Sequence, residues 1–451
     1  MTIIYTTEQI NNYIQNNDMS ETSKEFFNDY ITLFSRANNN LLEKCDISRS
    51  ENVRKNQLDI FEKKIKEKTF SLGVSMIVFN EERCIRRAVQ SVLGIIDQLV
   101  IVDTGSTDRT IPIIEEISCD NKTKTKIILL KQKWTDSFSN ARNLSLDYID
   151  TDWCLTMDAD ETLEKKTNIY LFLSVFGEIL KKYDVFSVCI VDTIKKNESY
   201  VPRLFLVSEN IRYVGHVHEE LRVDNTPTKS LSAPIFLNHD GYSEKIIHAK
   251  NKYTRNMRLI TKDLQNEPKN HRWSFYKIRD QIGSINQSNI IEQINELLYK
   301  GDQLRELDIR NSSYDLPLLN MLSFFYYSQH DSRNIQRVCT DIVSYFGENS
   351  NTLYFDILSN IYKVHNVVET SINRLVKYEQ RNKCIDEYQP IADNYSHLDF
   401  LIAILLLYKG NFELSINYMN ITKDNFNDKF ELQRYDNIIK EASKYFKEEK
   451  L

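Results

Sequence analysis

Between Leu72 and Met157 the chain alternates short apolar runs with amphipathic stretches, and does so four times. The runs are Val74 to Phe79, Gln98 to Val102, Lys126 to Leu130 and Trp153 to Met157. Each is a few residues long and stops at a polar punctuation, the pattern of a strand buried on both faces. The stretches between them, Cys84 to Val92, Thr110 to Ser118 and Ser139 to Tyr148, have helical spacing. Alternating strand and helix predicts a doubly wound α/β sheet.

The flanks read differently. Residues 1–68 are polar with helical periodicity: Phe26, Phe27, Tyr30, Leu33 and Phe34 form one stripe, and Val53 to Lys68 is a charged amphipathic helix. A helical extension packing on the next domain is expected there. The α/β domain is read as residues 69–248. From 249 to 451 helical patterns return, in pieces such as Asn289 to Tyr299, Asn334 to Tyr345, Val367 to Tyr378 and Phe412 to Met419. Their irregular recurrence, with Ser-Ile-Asn at both 371 and 415, fits divergent tetratricopeptide-like hairpins. An ordinary helical domain is the alternative.

Composition narrows the class. Glycine and proline number 10 and 7 in 451 residues, so helices should be long and turns few. A net charge of −6 offers no grip on a nucleic-acid backbone. No apolar stretch reaches the roughly 18 residues of a membrane span, and Met1 to Asn17 has no apolar signal core. Seven cysteines, at 45, 84, 119, 154, 189, 339 and 384, form no Cys-x-x-Cys pair. A reducing, cytoplasmic setting is therefore expected.

The chemistry gathers where strands end. In an open α/β sheet ligands bind beyond the carboxyl ends of the strands. Asn80-Glu81, Asp103 and Asp158-Ala159-Asp160 all stand at such ends. In an extended Asp-Ala-Asp the two carboxylates point apart, so one can hold a hard cation while the other faces a ribose or a helper group. Asp103 can accept the N–H of a uracil ring or cap the helix that follows. Ser106 and Asp108 are available for that capping, which would free Asp103.

Eight histidines occur, none before residue 216. In Gly215-His216-Val217-His218-Glu219-Glu220 an extended backbone would place both rings on one face. One imidazole would then complete a metal site with Asp160, and Glu219 would stand beside it as general base. A surface-exposed strand end is the plain alternative. Arg142, in Phe138-Ser139-Asn140-Ala141-Arg142-Asn143, suits a diphosphate or base contact, or equally a salt bridge on a helix. Arg203 is a similar candidate.

In this order these residues resemble glycosyltransferase family 2, inverting enzymes with the GT-A nucleotide-sugar-binding fold. The matching pieces are Val74 to Glu82, Ile101 to Thr110, Phe138 to Asn143, Met157 to Glu161 and Val214 to Glu219. The whole plan is similar to the peptide S-glycosyltransferases of glycosylated bacteriocins (glycocins), with a helical preface, this core and a helical tail. The resemblance implies a UDP-sugar donor, such as UDP-glucose or UDP-N-acetylglucosamine, and a magnesium or manganese ion. It implies a precursor-peptide acceptor, modified on cysteine or serine, and a homodimer. It assigns Val78, Phe79, Asn80 and Glu81 to the uridine pocket, Asp103 to uracil, and Asp158 and Ala159 to ribose and sugar. Asp160 takes the metal, with His218 adding a contact. Glu219 is the favoured base, with Glu220 and His216 as alternatives. A glycan or lipid-linked acceptor, or a non-catalytic peptide adaptor, are the competing functions.

Overall fold

The structure is a computed structural model. It describes residues 3–16, 20–37, 39–43, 46–47, 55–67, 69–165, 167–177, 184–194, 196–239, 247–301, 303–305, 312–381, 396–422, 433, 435 and 437–438. Cys45, Lys68 and Cys384 lie outside these. The chain divides into two compact units, 1–280 and 281–451.

The first unit is built on an eight-stranded mixed sheet. In chain order its strands are β1 Leu72–Val78, β2 Gln98–Asp103, β3 Lys126–Lys131, β4 Trp153–Asp158, β5 Glu161–Leu163, β6 Val185–Asp192 and β7 Glu198–Leu206. Two strands outside the main sheet follow, β8 Ile211–Val214 and β9 Glu220–Val223, and then β10 Ser230–His239. The spatial order of the main sheet is β3-β2-β1-β4-β7-β6-β10-β5. The first four of these are parallel, as the sequence pattern predicts. Beyond β4 the sheet departs from a purely parallel design: β7 pairs antiparallel with both β4 and β6, and β5 antiparallel with β10. β8 and β9 pair antiparallel in a small separate sheet.

Register sets the site. Val78 pairs with Asp103, and Ile77 with Asp158. The carboxyl ends of three adjacent strands therefore finish level. β1 and β2 are buried almost throughout, because helices cover both faces. One of these, Phe138–Leu146, is capped by Ser137, whose Oγ accepts the Asn140 N–H. Gly73 allows a close approach, since a Cβ there would lie 2.6 Å from Thr151 Oγ1.

The helical preface joins the same core. In Glu21–Arg36 the stripe Phe26, Phe27, Tyr30, Leu33 and Phe34 is buried, and so are Leu58, Phe61 and Ile65 of Lys55–Lys66. All of them belong to one cluster with the sheet residues. Arg36 clamps Glu164 with two hydrogen bonds of 2.9 and 3.0 Å and lies over the Phe236 ring.

The second unit is mainly helical. Gln287–Leu298, Ser312–Ser328, Ser332–Phe346, Ser350–Arg381, Ser396–Tyr408 and Phe412–Thr422 each pack on the next. No helix among the described residues is long and apolar enough to cross a membrane.

Candidate active site

The level ends of β1, β2 and β4 bring Val78, Asp103 and Asp158 side by side. Just past β1, Phe79 is 56% exposed, a large apolar ring standing open at the sheet edge. Asn80 takes φ +56°, which turns the chain there. Its Oδ1 accepts the Thr107 N–H, and its own N–H donates to Ser106 Oγ. Asp108 accepts from the Glu82 and Thr110 amides. Ser106 and Asp108 thus tie the two loops together, Asp108 also receives the first amide of the helix that begins at Thr110, and the helix is not capped by Asp103. Its carboxylate accepts the Gly105 and Ser106 amides at 2.9 and 3.1 Å. It is 2% exposed, held rigidly at the end of β2.

Around Asp158 lies a dense charge network. Arg142 Nη2 donates to Asp158 Oδ1 at 2.9 Å, and Arg142 Nε to Glu219 Oε1 at 2.5 Å. Arg203 donates to Asp158 Oδ2 and to Glu161 Oε2, both at 2.7 Å. Burial works against a charged Asp158, but Arg203 and Arg142 outweigh it and hold the carboxyl far below its usual range. Arg142 is itself buried between its two acids, and its Nη1 has no hydrogen-bond partner. Of the two sequence readings of Arg142, the salt bridge is present, and it joins two candidate site residues.

The neighbouring acids are crowded. Glu161, 2% exposed, is pushed up to about 7 by burial and by Asp158 and Asp160, against the pull of Arg203. Asp160 is raised by burial and by Asp158, and Glu81 by burial, with Asp160 contributing. Acids crowded together and raised by burial and by one another mark a place where a cation would be welcome. Ala159 between the two aspartates is buried.

The histidine segment differs from its extended expectation. Gly215 has φ +104° and His218 +53°, so Gly215 to Glu219 is a bent loop and its two rings do not share a face. His216 Nδ1 meets Asp263 at 2.6 Å. His218 Nε2 meets Asp280 at 3.2 Å, and the ring stacks on Tyr276 at 4.3 Å. Both rings thus turn to helices Ile247–Asn266 and His271–Gln281. The imidazole facing Asp160 is instead that of His239, with Nδ1 at 3.5 Å from Asp160 Oδ2. That nitrogen is buried without a hydrogen-bond partner. β10 brings it there because His239 pairs in register with Glu161. No spacing in the sequence connects residues 160 and 239, and the same holds for Asp263, Arg272 and Asp280. Among the described residues no three His, Cys, Asp or Glu side chains form a ready-made metal cage. A magnesium-type ion does not need one, since one or two protein ligands, water and phosphate suffice.

Residues 74–246 match the model of glycosyl transferase family 2. The SPbeta prophage-derived glycosyltransferase SunS of Bacillus subtilis (strain 168) is 23% identical over 390 residues, 84% of each chain. A TPR repeat-containing protein of Synechococcus elongatus is 32% identical over 155 residues, 33% of this chain and 34% of its own. An uncharacterized glycosyltransferase of Rickettsia felis is 36% identical over 95 residues, 21% of this chain and 30% of its own. The motifs, the sheet and the charged strand ends agree with a glycosyl transferase family 2 domain over residues 74–246, and the similarity to SunS supports a glycosyltransferase.

Proposed function

We propose that the chain transfers a hexose from a UDP-sugar to a cysteine of a ribosomally made precursor peptide, in bacteriocin biosynthesis, with inversion at the anomeric carbon. The observation that carries the reading is Arg142, braced between Asp158 at the sheet edge and Glu219 on the loop. It links the strand end that would face the donor to the carboxylate that would face the acceptor. SunS, similar over 84% of both chains, supports the bacteriocin setting.

Uridine lies against Phe79, Asn80 and Glu81, and Asp103 accepts the uracil N–H with the lone pairs its own loop leaves. The residues fit a hard divalent cation at Asp160, because His239 Nδ1 faces that carboxylate without a hydrogen-bond partner. A magnesium or manganese ion there supplies positive charge against the diphosphate as it leaves. Asp160 and His239 would be its protein ligands, which replaces His218 in that role. Arg142 orients Glu219 through Oε1, leaving Oε2 for the acceptor's proton. The thiol sulfur attacks the anomeric carbon from the face opposite UDP, its proton passes to Glu219, and UDP leaves with the bonding pair. A thiol ionises near pH 8.5, so a modest base suffices. Serine would depend on Glu219 more heavily.

The test is intact-mass spectrometry of a cysteine-containing peptide encoded beside the gene, incubated with the protein, manganese and UDP-glucose or UDP-N-acetylglucosamine. The expected result is a gain of one hexose-type mass that disappears when the cysteine is replaced by alanine. Donor hydrolysis without any gain would move the acceptor to a glycan or lipid carrier. Absence of UDP binding would leave a peptide adaptor.

A further inference from the structure

We infer that Arg272, on the helix beyond the family-matched segment, is a positioning residue for Glu219; this rests on reading Glu219 as the base. The loop from Gly215 to Glu219 is held mainly from outside itself. His218 takes a left-handed backbone conformation, which for a non-glycine residue persists only where surroundings enforce it. Helices Ile247–Asn266 and His271–Gln281 supply that enforcement residue by residue. Asp263 accepts the His216 N–H at 2.9 Å. Asp280 holds the His218 ring. Gly215 lies against Trp273, where a Cβ would come within 2.3 Å of the indole.

Arg272 closes the arrangement at the base. Its Nη2 donates to the His218 carbonyl at 2.6 Å and reaches the Glu219 carbonyl at 3.3 Å, and its Nε donates to His218 at 3.2 Å. Its Nη1 pairs with Glu220 at 3.2 Å. The guanidinium lies over Trp273 and Tyr276 at 5.5 and 5.0 Å. Arg272 therefore grips the backbone carbonyls of His218 and Glu219 and the side chain of Glu220, while Arg142 fixes the Glu219 side chain. The guanidinium presents its donors in a fixed planar fork that matches two carbonyls and a carboxylate, a geometry a compact lysine ammonium does not reproduce. A shift of about 1 Å in a catalytic group costs on the order of a hundredfold in rate. Arg272 thus acts on the reaction through the placement of Glu219, without touching the donor.

The experiment compares wild type, Arg272→Met, Arg272→Lys, Glu219→Gln and the double variant Arg272→Met/Glu219→Gln. Release of UDP from UDP-glucose or UDP-N-acetylglucosamine is followed with manganese and water as acceptor. Arg272→Met should lower kcat roughly ten- to a hundredfold, leave KM for the donor within about twofold, and cause no further loss in the Glu219→Gln background. Arg272→Lys should recover only part of the loss, and it stands in for Arg272→Met if that variant does not fold. Wild-type kcat in Arg272→Met, a change confined to KM, or losses that multiply in the double variant would overturn the inference while the base assignment stands. Wild-type kcat in Glu219→Gln would instead remove the base assignment itself.

Discussion

At the scale of single residues, the site is an arrangement of charges that do not balance locally. Asp158 has two arginines, while the ion-pair partner of Asp160 among the described residues is His239 at 3.5 Å, and Glu161 is driven up to about 7. A divalent cation beside Asp160 relieves that crowding, so binding should raise folding stability by mass action. At a hundredfold excess over its dissociation constant the gain is about 2.7 kcal/mol. Manganese is expected to raise the melting temperature of the wild type and not that of Asp160→Ala, whose sugar transfer should fall by orders of magnitude with the fold intact. An Asp160→Ala protein that keeps near-wild-type transfer would refute the metal assignment. The sequence exposed Asp160 through its place after an apolar strand. It could not expose His239, because the two meet only through the pairing of β5 with β10.

At the scale of elements, the loop between β8 and β9 owes its shape to the helices that follow β10. Arg222 on β9 is 3% exposed and forks onto Glu267 with bonds of 2.6 and 2.8 Å, while Trp273 Nε1 donates to the same carboxylate. Arg222 accordingly holds Glu267 down to about 2, from an ordinary value of 4.5. A depressed carboxyl stabilises the fold fully above its unfolded pKa, and the contribution is lost as pH falls through the folded one. The pair should therefore strengthen the protein above about pH 4.5 and fail between there and about pH 2. Glu267→Gln should show a flatter loss of stability across that window in urea melts at stepped pH, and an unchanged slope would show that the pair carries no linkage. Strand-level reading of the sequence succeeded for β1 to β4, where apolar runs end at a polar residue. It did not reach β6, β7 and β10, which lie inside the mixed half of the sheet; β7 and β10 carry polar residues such as Glu198, Ser199 and Asn238 that break the apolar pattern. It also made Gly215 to Glu219 extended, because periodicity carries no information about φ at His218.

At the scale of the whole molecule, the compact first unit runs past the family-matched segment to residue 280. It keeps the helices that carry Asp263, Glu267 and Arg272. A chain ended after Asp280 should retain UDP and manganese binding and donor hydrolysis within a few-fold of the full chain. A chain ended at residue 246 should lose hydrolysis at least tenfold. Calorimetry and UDP-release assays on both would decide it, and equal activity of the two would show that the helices add nothing to the site. The sequence by itself determined the α/β core, the helical character of both flanks, and the polar residues that stand at the ends of β1, β2 and β4. These follow from local periodicity and from where apolar runs stop, which neighbouring residues encode. Only the tertiary structure decided which imidazole faces Asp160, that Arg142 ties Asp158 to Glu219, and that helices beyond residue 246 hold the loop carrying Glu219. Those contacts join residues separated by tens of positions, and their partners are chosen by strand register and helix packing, quantities that exist only once the chain has folded.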